Sequence, residues 1–455
     1  MCEGRHRAIL ASIPPRPSPQ EGCDRLFTAQ QLFGEFGTSA DVLTHAAFLE
    51  NARRQRERDR ERAARLALGA YVVARLVDRL LSEPDDEESR EGFQWQLEAV
   101  RRHMRDLPAD APEAAHLNGI TDAIPAQGRE APGLRLTLTA YAYFLEHEGR
   151  LEEGLDILAL AARTHGAAVP PSEFAATALF AGRLNRLLAR WRTATSCYSA
   201  AESAAQVVGD SVTALRARLG RAAVLRGQGN LPLAHSSVQA VVREADVLGL
   251  REVQAMAYAD LGAVCATQGL GVEAVQANYQ AFLHSEDTLQ RMRVLGDLGV
   301  CLRQIGAWDA ARLAFEIVVK SNTSYLVRTN AVLELMELES SVGNQVAFER
   351  RRAQAEDARD RMPPSMSADF HYKAGIGLAR FGRFGRARDL LTAGVKLAEA
   401  HQLNAWYFRL DAALTGLSEC EAREPEVPLP VEEPGSASVV QEVAVGLREY
   451  ALQTS

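Results

Sequence analysis

Aromatic residues make up only 6% of this 455-residue chain, and β-branched residues do not gather into the alternating runs that sheet strands require. A β fold is therefore disfavoured, and an all-α fold is expected. Six cysteines, Cys2, Cys23, Cys197, Cys265, Cys301 and Cys420, contain no C-x-x-C pair and no metal-ligand spacing, so they read as reduced thiols. No apolar stretch approaches the roughly 18 residues that a membrane span needs. Ala8 to Ile13 is too short for a signal-peptide core and is broken at once by Pro14, Pro15, Pro17 and Pro19. A cytoplasmic location is the expectation that follows.

Basic charge is lacking as well. The net charge is -8, and from Glu419 onward eight Glu face two Arg, so the tail holds six of the excess negatives and the body is near neutral. Neither nucleic acid nor an anionic membrane is expected as the partner, because both draw a net-basic domain. The run Arg53 to Arg65 has seven Arg against three acids, but opposite charges four apart, such as Arg53 with Glu57, suit a solvated helix face. G-x-x-x-x-G-K-[ST], H-E-x-x-H and G-x-S-x-G are all missing. His147, His165 and His235 have no companion ligand at helical spacing. No catalytic residue, metal or cofactor is expected, and the chain reads as a non-enzyme.

What the chain does have is a period. A small residue, a bulky one two positions on and Ala or a stand-in three further recur at Gly149-Leu151-Gly154, Ala189-Trp191-Ala194, Gly229-Leu231-Ala234, Gly269-Gly271-Ala274, Gly306-Trp308-Ala311, a blurred Gly343-Gln345-Phe348, and Gly382-Phe384-Ala387. Successive first members lie 40, 40, 40, 37, 37 and 39 residues apart. The marked Gly stands where a first helix must end and turn, since glycine accepts the left-handed conformation found beyond helix C-termini. Phe381 to Arg386, which superficially suggests a phosphate loop, falls in register with the other turns and is a turn.

Four regions follow. Residues 1–24, rich in Pro and Arg, read as a disordered lead. Residues 25–131 form an N-terminal helical block without the repeat signature. Residues 132–420 hold seven helix pairs and a closing helix around Trp406 to Leu417. Residues 421–455 are an acidic, Pro-rich tail ending in a short amphipathic helix over Val439 to Leu452.

The array resembles the tetratricopeptide repeat family. Its fifth unit supplies Leu295, Leu298-Gly299, Leu302, Gly306, Trp308, Ala311 and Phe315; the fourth gives Tyr258, Leu261-Gly262, Cys265, Gly269 and Ala274; the second gives Gly182, Trp191, Ala194, Tyr198 and Ala201; and the seventh gives Gly375, Leu378, Gly382, Phe384, Ala387 and Leu391. The period exceeds the family's usual value of about 34, implying roughly one extra turn per hairpin, and the sixth unit places Phe348 where Ala is expected. The resemblance implies a right-handed α-solenoid of stacked antiparallel helix pairs, with first helices lining a groove for a peptide or partner protein.

Counting back from each turn locates that lining. Three before it stand Glu146, Arg186, Arg226, Ala266, Arg303, Ser340 and Ala379; six before it stand Tyr143, Arg183, Ala223, Ala263, Val300, Glu337 and Ile376; thirteen before it come Arg216 and Arg293. Arg183, Arg186, Arg216, Arg226, Arg293 and Arg303 are thus the candidate site, a set suited to an acidic peptide or a terminal carboxylate. The other reading is that they are solvated residues balanced by Asp260, Asp297 and Glu334. The acidic tail admits two readings too: a lid lying in this groove, or a solubilising extension.

An interaction scaffold or adaptor is the leading functional expectation. A signalling or transcriptional regulator, with the front block as effector and the repeats as peptide sensor, is the second. The sensory half of a nucleotide-signalling enzyme is a third. Cys265 and Cys301, at nearly equivalent positions, are expected as small core residues.

Overall fold

The computed structural model describes residues 27–34, 44–57, 60–82, 87–124, 133–166, 168–321, 323–359, 362–401, 403–421 and 436–454. The lead expected at 1–24 and the Pro-rich stretch within 422–435 lie outside the described residues. The chain falls into two compact units, Met1–Gln228 and Gly229–Ser455. Among the described residues both are helical, with a single antiparallel backbone bridge between Phe27 and Val169. No described helix is long and apolar enough to cross a membrane.

The first unit comprises α1 (Ala29–Phe33), α2 (Ala46–Glu57), α3 (Glu61–Ser82), α4 (Glu87–Arg105), α5 (Pro112–Ala123), α6 (Leu134–His147), α7 (Leu151–Arg163), α8 (Pro171–Leu187), α9 (Trp191–Val207) and α10 (Ser211–Gly227). Helices α6/α7 and α8/α9 are antiparallel pairs, each with an A helix before the turn and a B helix after it. The front helices carry no repeat signature, yet they share one continuous apolar core with the first two pairs. Phe48, Leu97, Leu117 and Ile120 join Tyr141, Leu145, Ile157 and Leu184 in it, all at 0% exposure. Polar ties run the same way. Tyr141 Oη donates to Glu113 Oε1 at 2.6 Å, Arg150 Nη1 bridges to the same carboxylate at 2.5 Å, and Asp78 on α3 takes Arg163 of α7. Burial pushes the Glu153 carboxyl up, against the pull of the adjacent Arg150.

The second unit comprises α11 (Leu231–Val247), α12 (Arg251–Gln268), α13 (Gly271–His284), α14 (Thr288–Gln304), α15 (Trp308–Lys320), α16 (Tyr325–Ser341), α17 (Gln345–Asp357), α18 (Pro364–Arg380), α19 (Phe384–Ala400), α20 (Asn404–Glu421) and α21 (Ala437–Thr454). Pairs α12/α13, α14/α15, α16/α17 and α18/α19 follow in sequence order, closed by α20. Helix starts match their sequence: Asp287 accepts from Gln290 N at 2.7 Å, Asn344 from Ala347 N at 3.2 Å, and Pro364 occupies a first-turn position where its missing N–H costs nothing.

Two sequence features set the pair geometry. The turn glycines Gly149, Gly229, Gly269, Gly306, Gly343 and Gly382 all have φ between 69° and 81°, and Ala189 adopts the same region at 56°. Within pairs, an A-helix glycine seven before the turn receives a large B-helix side chain nine after it. A methyl group at Gly182 would stand 2.8 Å from the Tyr198 ring, at Gly299 2.5 Å from Phe315, and at Gly375 2.7 Å from Leu391. Small against large is how two helices approach closely without a void.

The sixth pair breaks this rule, with Met336 and Arg352 in the two positions. Its Phe348 instead reaches out of its own pair into α18, against Gly377, and is fully buried. That use of Phe348 is why the sixth unit looks blurred. Cys197, Cys265 and Cys301 are buried thiols, and burial lifts Cys197 and Cys301 to about 11.

Candidate binding face on the A helices

Curvature within each unit follows from which helices touch. In the second unit α14 packs on α16, α16 on α18 and α18 on α20, whereas their B partners α15, α17 and α19 do not pack on one another comparably. In the first, α8 packs on α10. Helices packed more closely along one layer form its inner side, so the A helices line the concave face of each unit.

On that face of the first unit, aromatic and guanidinium groups combine. Tyr143 of α6 stacks on Phe180 of α8 at 4.2 Å between centroids and 13° between planes. The Arg183 guanidinium lies 5.1 Å above Phe180 and 5.6 Å from Tyr143, and pairs with Glu146. Beside them Leu136, Tyr143 and Leu187 are 63%, 44% and 48% exposed. Arg186 is half-buried with its Nε lacking a hydrogen bond, and neither Arg186 nor Arg226 has a carboxylate partner among the described residues. Arg216 is exposed, in the field of the Asp210 cap.

The second unit's face is a ladder of opposite charges. Arg303 of α14 lies 3.7 Å from Glu334 and 3.5 Å from Glu337 of α16. Lys373 of α18, one of only three lysines in the chain, donates to Glu334 at 2.6 Å and Asp369 at 2.8 Å. Lys373, Glu334 and Asp369 are all buried. Burial opposes the Lys373 charge, yet Glu334, Asp369 and Glu337 together hold its pKa above the usual lysine value. Arg380 donates to Ser340 Oγ at 2.8 Å. Asp297 presents surface to solvent, with Arg293 and Glu334 as its charged neighbours. Desolvation pushes its carboxyl up to about 6, Arg293 opposing and Glu334 adding to the rise.

The six arginines read from the sequence are therefore distributed: Arg183, Arg186, Arg216 and Arg226 in the first unit, Arg293 and Arg303 in the second. Arg183 and Arg303 are matched by carboxylates of a neighbouring A helix, and Arg293 stands beside Asp297. Arg186 and Arg226 are the unmatched pair. Sequence reasoning missed the Phe180 platform beneath Arg183. It also missed Lys373 and Asp369, although both lie in register with other lining residues, nine and thirteen before the turn. A second aromatic cluster, Arg409 of α20 over Tyr372 at 4.4 Å and Trp406 at 5.2 Å, was missed because α20 has no turn from which to count. No group of carboxylates, histidines and cysteines suited to a metal ion is found among the described residues.

No protein-family model matches the chain, and no curated protein matches it. Among solved structures it is similar to a Rap protein complexed with competence and sporulation factor, at 10% identity and TM-score 0.40 over 78% of this chain and 98% of that one. It is similar to the apo form of RapI, at 11% identity and TM-score 0.43 over 78% and 99%. A third is the Rap conjugation gene regulator of the plasmid pLS20 in complex with a Phr peptide, at 13% identity and TM-score 0.44 over 78% and 98%.

Proposed function

We propose that this chain is a tetratricopeptide-type adaptor that holds an extended peptide segment of a partner on the A-helix face of its first unit. The observation that carries the reading is the cluster there: an exposed Tyr143 braced by Phe180, apolar Leu136 and Leu187 open to solvent, and Arg186 and Arg226 without carboxylates of their own among the described residues. An apolar anchor next to a planar donor fits a peptide bearing a large side chain near a carboxylate. Glu146 already engages Arg183, which leaves Arg186 and Arg226 as the carboxylate-recognising groups.

The shared apolar core of the front helices with the first two pairs supports the adaptor reading over a regulator with a separate effector domain. In this reading the front block is a cap that closes the end of the array.

The test is panning of a displayed heptapeptide library with free C-termini, followed by fluorescence anisotropy on the selected peptides. Arg186→Glu is expected to weaken binding at least tenfold, whereas Arg192→Glu, an exposed change on α9, leaves it within twofold. Amidating the peptide terminus should cost a similar factor when the recognised carboxylate is terminal. Equal loss from both substitutions rejects the A face as the site.

A further inference from the structure

The tail helix α21 does not lie in the groove. It packs on α13 and α15, both B helices, on the side of the second unit opposite the A-helix face. Neighbouring B helices leave a furrow between them, and α21 fills this one. Val443 and Leu447, four residues apart, are buried at 1% and 0% exposure, and Val439, Val440 and Ala444 pack beside them. Tyr450 meets Phe282 edge-on at 5.1 Å and lies 6.0 Å from the Arg291 guanidinium. Where α21 crosses the furrow it presents Gly446, and a Cβ there would meet the Tyr279 hydroxyl, so that either the tyrosine tip or α21 must shift.

Two observations set α21 apart from the repeats it rests on. Every other helix of this unit follows its predecessor through a short connection, whereas α21 is joined through residues 422–435, a stretch rich in Pro and Glu. Its seat is also thin, with two fully buried apolar side chains, against six core residues on a repeat helix such as α15. A helix held by few contacts is the part of a fold that opens first.

We propose that the furrow between α13 and α15 is a receptor for an amphipathic helix, and that α21 occupies it in cis until a partner helix of the same pattern replaces it. The required pattern is read from the present occupant: β-branched or Leu residues four apart on one face, and Gly at the crossing of Tyr279. Such a helix-in-groove contact is independent of the A-helix face. Because α21 belongs to the same chain, a partner helix must out-compete it, and the exchange depends on the partner's concentration.

The probe is a fluorescein-labelled synthetic peptide spanning residues 436–454, titrated against the full-length chain. With wild-type protein binding is weak, because the furrow is filled. Gly446→Leu in the full-length chain displaces α21 and is expected to tighten peptide binding at least tenfold. Leu447→Asp, which alters only the strap, should do the same, and circular dichroism should show the helical signal retained. A peptide carrying G446L should bind neither variant. Equal affinity for wild-type and both variants, or no binding to either variant, overturns the proposal. So does a wild-type dimer in light scattering that becomes monomeric in both variants, since α21 would then be exchanged between copies.

Discussion

The ring of Phe348 fills the place that a side chain on Gly377 would need. A methyl group at Gly377 would stand 2.7 Å from Phe348 Cζ, and the ring is fully buried with Phe381 at 5.3 Å between centroids. This contact links the sixth pair to the seventh. Gly377→Ala is expected to destabilise by about 1–3 kcal/mol through overpacking, and Phe348→Ala by about 3–5 kcal/mol through the cavity it leaves. The double variant should be less destabilised than the sum, because removing the ring makes room for the methyl. Thermal denaturation of the four proteins provides the measurement; strict additivity would contradict the contact.

Ala189 adopts φ 56° at a turn where the other pairs have glycine. The left-handed region costs a non-glycine residue about 1–2 kcal/mol, partly offset by the greater unfolded-state freedom of glycine. Ala189→Gly is therefore expected to raise the melting temperature, and Gly382→Ala to lower it by a comparable amount. A fall with Ala189→Gly would mean that the turn is not strained.

The Asp297 carboxyl, lifted to about 6 by desolvation and Glu334 against the pull of Arg293, makes part of the stability pH-dependent. A carboxyl whose folded pKa lies above its unfolded value, about 3.9, binds its proton more tightly when folded. Its contribution is fully present below the unfolded value and is lost as pH rises through about 6. Asp297→Asn should flatten the stability profile between pH 4 and pH 7, and carbon-detected NMR of the carboxyl should titrate near 6. An unchanged profile with a carboxyl titrating near 4 would refute this environment.

Lys373 neutralises Glu334 and Asp369 in the interior. Lys373→Met leaves buried Asp369 without its cation and Glu334 with only the more distant Arg303, at an expected cost of about 3–5 kcal/mol. Adding Glu334→Leu and Asp369→Leu should recover much of it, because the whole network can be exchanged for apolar packing more safely than half of it. Urea unfolding of the single and triple variants distinguishes the two; a harmless Lys373→Met would show that the ladder is solvated.

Much of this architecture was legible in the sequence because its causes are local. A turn glycine needs only its own φ, and the partnership of Gly299 with Phe315 repeats at fixed spacing in other pairs. Phe348 was legible only as an exception, since its partner Gly377 lies in the next pair and pair-to-pair packing leaves no periodic mark. The lining positions could be counted, but not whether an arginine there is already matched. Arg183 meets Glu146 37 residues away, while Arg186, one turn later, has no such carboxylate among the described residues. The docking of α21 was hidden for the same reason: an amphipathic helix shows that it has a face to bury, and not where.

Photo-crosslinking reads out whether a ligand sits on the A-helix face of the first unit. A library-selected peptide carrying benzoylphenylalanine at its large apolar position, irradiated with the full-length protein and mapped by mass spectrometry, should attach on α6 and α8 around Leu136, Tyr143 and Leu187. Attachment confined to the B helices α7 and α9 would contradict it.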